Sequence, residues 1–97
     1  MRITLSSSAF EDLEGIKAYY LEQGVPYIGI DFVTAIFEHI QRLAEHPDSG
    51  RVVPEFGESH IREIIHPPFR VVYLRDGSAI QIIRVWRSER LLSLPED

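Results

Sequence analysis

The sequence predicts an α+β fold: a helical hairpin packed on a small, mainly antiparallel sheet in the order β-α-α-β-β-β, within one domain spanning residues 1–97. Two runs rich in β-branched and aromatic residues, Phe69-Arg70-Val71-Val72-Tyr73-Leu74 and Ala79-Ile80-Gln81-Ile82-Ile83-Arg84-Val85-Trp86-Arg87, flank Arg75-Asp76-Gly77-Ser78 and read as a β-hairpin. Upstream, Val33, Ile36, Phe37, Ile40, Leu43 and Ala44 recur at steps of three and four, the mark of a helix with one apolar face. Ninety-seven residues support one core, so the sheet is the surface available to that face.

Each element has a local reason. Arg2 to Leu5 alternate as a short strand. Ser8-Ala9-Phe10-Glu11 fits a capping box, with Glu11 and Asp12 in the first turn, where the helix dipole favours carboxylates. Leu13, Ile16 and Tyr20 continue one helical face, and Gly24 supplies a left-handed stop. Pro26 suits the first turn of a second helix, although Gly29 disfavours helix and argues for a start a few residues later. His46-Pro47 ends that helix and Asp48-Ser49-Gly50 is turn chemistry. Arg51 to Phe56, broken by Pro54, reads as an edge or loop segment, His60 to His66 as a strand, Pro67-Pro68 as a break, and Ser88 to Leu94 as a closing helical turn.

Composition bounds the function. A hydrophobic fraction of 44% and a charged fraction of 26% belong to an ordinary globular chain. No apolar run approaches the roughly 18 residues of a membrane span and no signal region opens the chain, so it is expected to stay in the cytoplasm, off the membrane. The absence of cysteine excludes disulfides, thiolate zinc sites and a cysteine nucleophile. A net charge of -5 argues against gripping nucleic acid as the main task. The excess lies in residues 1–50, with three basic and eight acidic side chains, while residues 51–97 carry seven of each, every basic one an arginine.

Arginine forks suit phosphate and carboxylate, which makes the hairpin the expected seat of function. A connecting loop of even length sets Arg70 across from Ile83 with Arg87 on the same face; an odd one sets Arg84 and Trp86 beside Arg70. On that reading Arg70 and Arg87 are exposed, and truncating them alters binding and not folding. The plainer alternative pairs Arg62 and Arg70 with Glu55, Glu58 or Glu63 on a solvated face. Trp86 suits either a half-buried core position or an interface anchor. His60 and His66 have no partner at metal-ligand spacing, so no metal or cofactor is expected. Tyr19, Tyr20 and Tyr27 are expected to pack the helical hairpin.

An ordered set of segments carries a resemblance. Ala9-Phe10-Glu11-Asp12-Leu13 with Ile16 and Tyr19-Tyr20, Leu43-Ala44-Glu45-His46-Pro47 leading to Gly50-Arg51, Arg62-Glu63-Ile64 before Phe69-Arg70-Val71-Val72-Tyr73, and Ile82-Ile83-Arg84-Val85-Trp86-Arg87 followed by Arg90 resemble the RelE/ParE superfamily of type II toxins. The resemblance implies a β-α-α-β-β-β toxin neutralised by a cognate antitoxin, with members that either cut messenger RNA on the ribosome or inhibit DNA gyrase. In the nuclease members, arginine and lysine on the central strands hold the phosphate and a tyrosine or histidine near the C-terminus completes the site. Arg70 matches the arginine after the hairpin aromatic, and Arg62 falls where a basic residue of the preceding strand belongs. After Tyr73, however, the chain has no tyrosine, histidine or lysine, and Leu91, Leu92 and Leu94 fill the region.

The expectation is therefore a gyrase-inhibiting toxin that acts by binding, with Arg70 and Arg87 as principal contacts and Arg62 and Trp86 behind them. The alternative is a ribosome-dependent endoribonuclease using Arg62, Arg70 and Arg87 on the phosphate, with His60 or His66 as a substitute base. A third reading is an inert relative that retains only antitoxin binding.

Overall fold

A computed structural model describes residues 1–88, so the closing turn expected over Ser88 to Leu94 falls, beyond Ser88, outside the described residues. The chain forms β1 (Arg2–Leu5), α1 (Ser7–Glu22), α2 (Pro26–Gln41), a short 3-10 turn (Arg42–Ala44), β2 (Arg51–Val52), β3 (Ile61–His66), β4 (Phe69–Asp76) and β5 (Ala79–Arg87). The strands make one five-stranded sheet in the order β1-β5-β4-β3-β2. β1 runs parallel to β5, and the remaining neighbours are antiparallel. The segment after Gly50 thus contributes a two-residue edge strand before Pro54, which lacks the N–H that a longer ladder needs.

Both helices cover one face of the sheet. Leu13 and Ile16 of α1, and Ile36, Ile40 and Leu43 from α2 and its 3-10 extension, bury against Ile64, Phe69, Val71, Tyr73, Ile80, Ile82 and Val85. Phe37, although at core spacing, stays substantially exposed, as do Tyr19 and Tyr27. Of the three tyrosines expected in the hairpin, Tyr20 does pack there, with its ring 5.6 Å from Phe32. Phe32 in turn meets Phe69 edge-on at 5.2 Å and ties α2 to the sheet.

Local chemistry shifts two boundaries. The cap of α1 is Ser6, not Ser8: its Oγ accepts from the Ala9 N–H at 3.0 Å and donates to the Ile83 carbonyl at 3.0 Å. The Ser6 N–H also donates to Ile82 O at 2.9 Å, so pairing of β1 with β5 decides which of three consecutive serines starts the helix. Glu11 and Asp12 consequently lie beyond the first turn. α2 begins at Pro26 despite Gly29, because Gly29 is buried at the helix crossing, where a Cβ would lie 3.1 Å from Lys17 Cα and 3.2 Å from Ile16 O. The intrinsic cost of glycine is offset by close approach of two backbones. Gly24 (φ 81°) and Gly77 (φ 57°) occupy the left-handed region, as their turns require.

Candidate functional site

The register of the C-terminal hairpin decides which arginines share a face. Asp76 pairs with Ala79, leaving Gly77 and Ser78 as an even, two-residue loop. Tyr73 pairs with Ile82 but Val72 pairs with Arg84, so Ile83 is an extra residue, a β-bulge, and beyond it the pairing moves by one. Arg70 therefore sits across from Trp86, and Arg87 across from Phe69 on the helix-covered side. Arg70 and Arg87 do not converge. The loop length alone points to the opposite answer, and a bulge leaves no mark in the sequence that loop counting detects.

Arg70 lies inside a network of ions. Its Nε donates to Glu63 Oε1 at 2.5 Å, while Nη1 and Nη2 donate to the two Glu55 oxygens at 3.0 and 2.9 Å. The second Glu63 oxygen accepts from Arg51 Nε at 2.6 Å. Side-chain exposure is 5% for Arg70 and 0% for Glu63, against 59% for Arg51, so the network runs from the interior to solvent. The charge-assisted hydrogen bonds from Arg70 hold the Glu55 carboxyl below its ordinary value. The bond to Glu55, and then Glu63, raises the Arg70 guanidinium against the opposing effect of burial. Pairing with Glu55 and Glu63 is thus realised, with Arg70 and Glu63 in the interior and Glu55 at the solvent-exposed end. Arg70 is therefore not the exposed residue expected, and the ground on which its truncation was expected to spare stability is absent.

Arg62 and Arg75 organise the turn that leads into β2. Arg62 donates from Nε to Ser59 O at 2.9 Å and from Nη1 to Gly50 O at 2.9 Å. Arg75 Nε lies 2.8 Å from Asp48 Oδ1. Beneath them the fully buried Tyr73 hydroxyl donates to Pro47 O at 2.8 Å and accepts from the Gly50 N–H at 3.1 Å. Burial pushes the Tyr73 phenol above its ordinary value. Any side chain at position 50 would collide there, since a Cβ would lie 2.6 Å from Glu63 O and 2.7 Å from the Tyr73 hydroxyl.

The accessible part of the expected surface lies where β5 outruns β1. There an open cleft of about 540 Å³ is lined by Glu11, Asp12, Tyr19, Tyr20, Trp86 and Arg87, among others. Its wall is held by Asp12, which accepts from the Val85 N–H at 2.8 Å and takes a bidentate pair from Arg84 at 2.9 and 3.0 Å. That carboxylate closes a strand edge which β1 leaves uncovered. It raises the Arg84 guanidinium above its ordinary value. The same guanidinium sits 4.6 Å from the Trp86 ring centroid, and Arg87 lies 5.6 Å from that of Phe69. Of the four sequence-chosen residues, the cleft gathers Trp86 and Arg87, while Arg62 and Arg70 lie outside it. Asp12 was legible only as a helix-dipole residue, because its partners are 72 and 73 positions away.

The histidines divide. His60 is exposed, 3.8 Å from Glu58, whereas His66 lies against His39. Among the described residues no group of three or more His, Cys, Asp or Glu side chains is placed to hold a metal ion, and no helix is long and apolar enough to cross a membrane. Arg90, Leu91, Leu92 and Leu94 lie outside the described residues.

Comparison with known proteins gives a consistent result. The family model for the ParE toxin of the type II toxin-antitoxin system, parDE, matches residues 3–92. Among solved structures, a chain of the chromosomal ParDE TA system from P. aeruginosa is similar in shape, with a TM-score of 0.75 and 25% sequence identity, covering 90% of this chain and 95% of that chain. No curated protein sequence matches.

Proposed function

This chain belongs to the ParE toxin family of type II toxin-antitoxin systems, and on that premise we propose that it inhibits DNA gyrase by binding, without chemistry of its own. As a toxin of such a system it is paired with a cognate antitoxin. The observation that carries the choice of mechanism is the state of Arg70. In the nuclease branch this arginine is the one expected to hold the scissile phosphate, whereas here Glu55 and Glu63 occupy all three of its donor nitrogens and its side chain is 5% exposed. A guanidinium so committed must give up two carboxylates before it can stabilise a phosphoryl transition state. The absence of tyrosine, histidine and lysine after Tyr73 leaves the C-terminal proton-transfer position of the nuclease branch unfilled as well.

On this reading Trp86 and Arg87, at the cleft, make the direct contacts with gyrase or its DNA complex. Arg62 and Arg70 contribute by holding the sheet and the turn in shape. Purified toxin is expected to block gyrase supercoiling or to trap cleaved DNA, and to leave messenger RNA intact on programmed ribosomes. Cleavage in the ribosomal A site with supercoiling unaffected would reverse the assignment.

A further inference from the structure

A pair of histidines joins the helical layer to the sheet. His39, in the last turn of α2, and His66, the final residue of β3, bring their Nδ1 atoms to 3.3 Å, with ring centroids 5.6 Å apart and planes at 62°. Both are half-buried. As a hydrogen bond the contact is long, since N–H donors favour separations of about 2.9 to 3.0 Å. As one edge of a metal tetrahedron it fits: zinc–imidazole bonds of about 2.0 to 2.1 Å place two nitrogen ligands roughly 3.3 to 3.4 Å apart.

We propose that His39 and His66 form a two-imidazole site for a divalent transition metal ion of the zinc class, which ties α2 to the end of β3. Imidazole is a good donor to Zn²⁺, Ni²⁺ and Cu²⁺ alike. Among the described residues no third ligand is placed beside the two imidazoles. The positive charge of Arg42, near enough to act on His39, opposes a dication. The site therefore binds reversibly and with modest affinity, unlike a closed structural zinc centre. Its effect is mechanical: Phe32 on Phe69 already ties α2 to the sheet near the middle of the helix, and the metal adds a tie close to its C-terminal end. This inference is independent of the toxin's target.

The test uses untagged, metal-free protein titrated with ZnCl₂ and with NiCl₂. Calorimetry is expected to show one ion per chain, and Tm to rise with metal concentration as mass action requires. His39→Gln and His66→Gln each abolish both effects, whereas His46→Gln and His60→Gln leave them unchanged; the metal-free melt of each variant reports its folding. In the unaltered protein, zinc moves the imidazole resonances of His39 and His66 and not those of His46 and His60, a readout that needs no variant. Absence of any shift at His39 and His66, or binding that survives both substitutions, would overturn the proposal, as would resonance shifts confined to His46 or His60, which identify an adventitious surface ion.

Discussion

Arg70 donates from Nε to Glu63 Oε1 across two neighbouring strands in a position from which water is almost excluded. An ion pair of this kind contributes little net stability relative to a well-packed apolar pair, yet removing one partner strands the other charge in the interior. Arg70→Ala is expected to destabilise the fold by about 3 to 5 kcal/mol, with Glu63→Ala in the same range. Arg51→Ala, whose side chain is 59% exposed, should cost about 1 kcal/mol or less. Urea melts of the three variants check the order.

The turn before β2 depends on a single hydroxyl. Tyr73→Phe leaves the Gly50 N–H and the Pro47 carbonyl without their partner and should cost about 1 to 3 kcal/mol. Gly50→Ala is expected to be at least as damaging, because its Cβ meets the backbone oxygen of Glu63, which cannot move aside without disturbing β3. Thermal melts of both variants provide the measurement.

Asp12 links α1 to β5 through three hydrogen bonds, two of them from Arg84. Asp12→Ala should destabilise by roughly 2 to 3 kcal/mol, while the neighbouring exposed Glu11→Ala stays within about 0.5 kcal/mol. Hydrogen exchange supplies a local readout: the Val85 amide is expected to lose protection in Asp12→Ala.

Acid should loosen the Arg70 network. The folded state holds the Glu55 carboxyl below its ordinary value of 4.5, so Glu55 contributes stability that is present above that value and is lost as pH falls through the lower, folded one. A series of melts from neutral pH downward should show a decline that is shallower in Glu55→Gln. An unchanged slope in that variant would assign acid sensitivity to other carboxylates.

Truncating the cleft residues separates binding from folding. Arg87→Ala and Trp86→Ala are each expected to weaken target binding by roughly 1 to 3 kcal/mol. Arg87→Ala should leave stability within about 1 kcal/mol of the parent, since the arginine is exposed over Phe69. Growth arrest on induction, with a melt as control, measures both. Full toxicity in the double variant would place the target surface elsewhere.

Much of the architecture was legible because it rests on local or periodic signals. The stripe of Ile36 and Ile40, the stop at Gly24 and the two β-branched runs each carry their own information. Contacts between distant segments were less accessible. Glu63 reads as one of several plausible acids until β3 is laid beside β4, and Asp12 reads as a helix-start residue until β1 ends short of Val85. Gly29 looked like a liability because the backbone of α1, which needs its missing side chain, is known only from the packing. Trp86 and Arg87 stand out in the sequence as an arginine-flanked tryptophan and its neighbour and line the cleft, but on a register set by the bulge at Ile83.

Nine residues of β5 face eight of β4, so this strand has one position where length is not tightly constrained. Removing Ile83 would leave every cross-strand partner as it is, at the loss of a carbonyl that Ser6 now occupies. Removing Val85 instead, with Ile83 drawn into the ladder to take up the gap, would bring Arg84 opposite Val71 and turn a guanidinium toward the helices, while Trp86 stays opposite Arg70. Relatives of this toxin can therefore gain or lose a residue at one address in the strand while keeping the same inside and outside, and a family comparison that places its gap anywhere else in β5 will match core residues with surface ones.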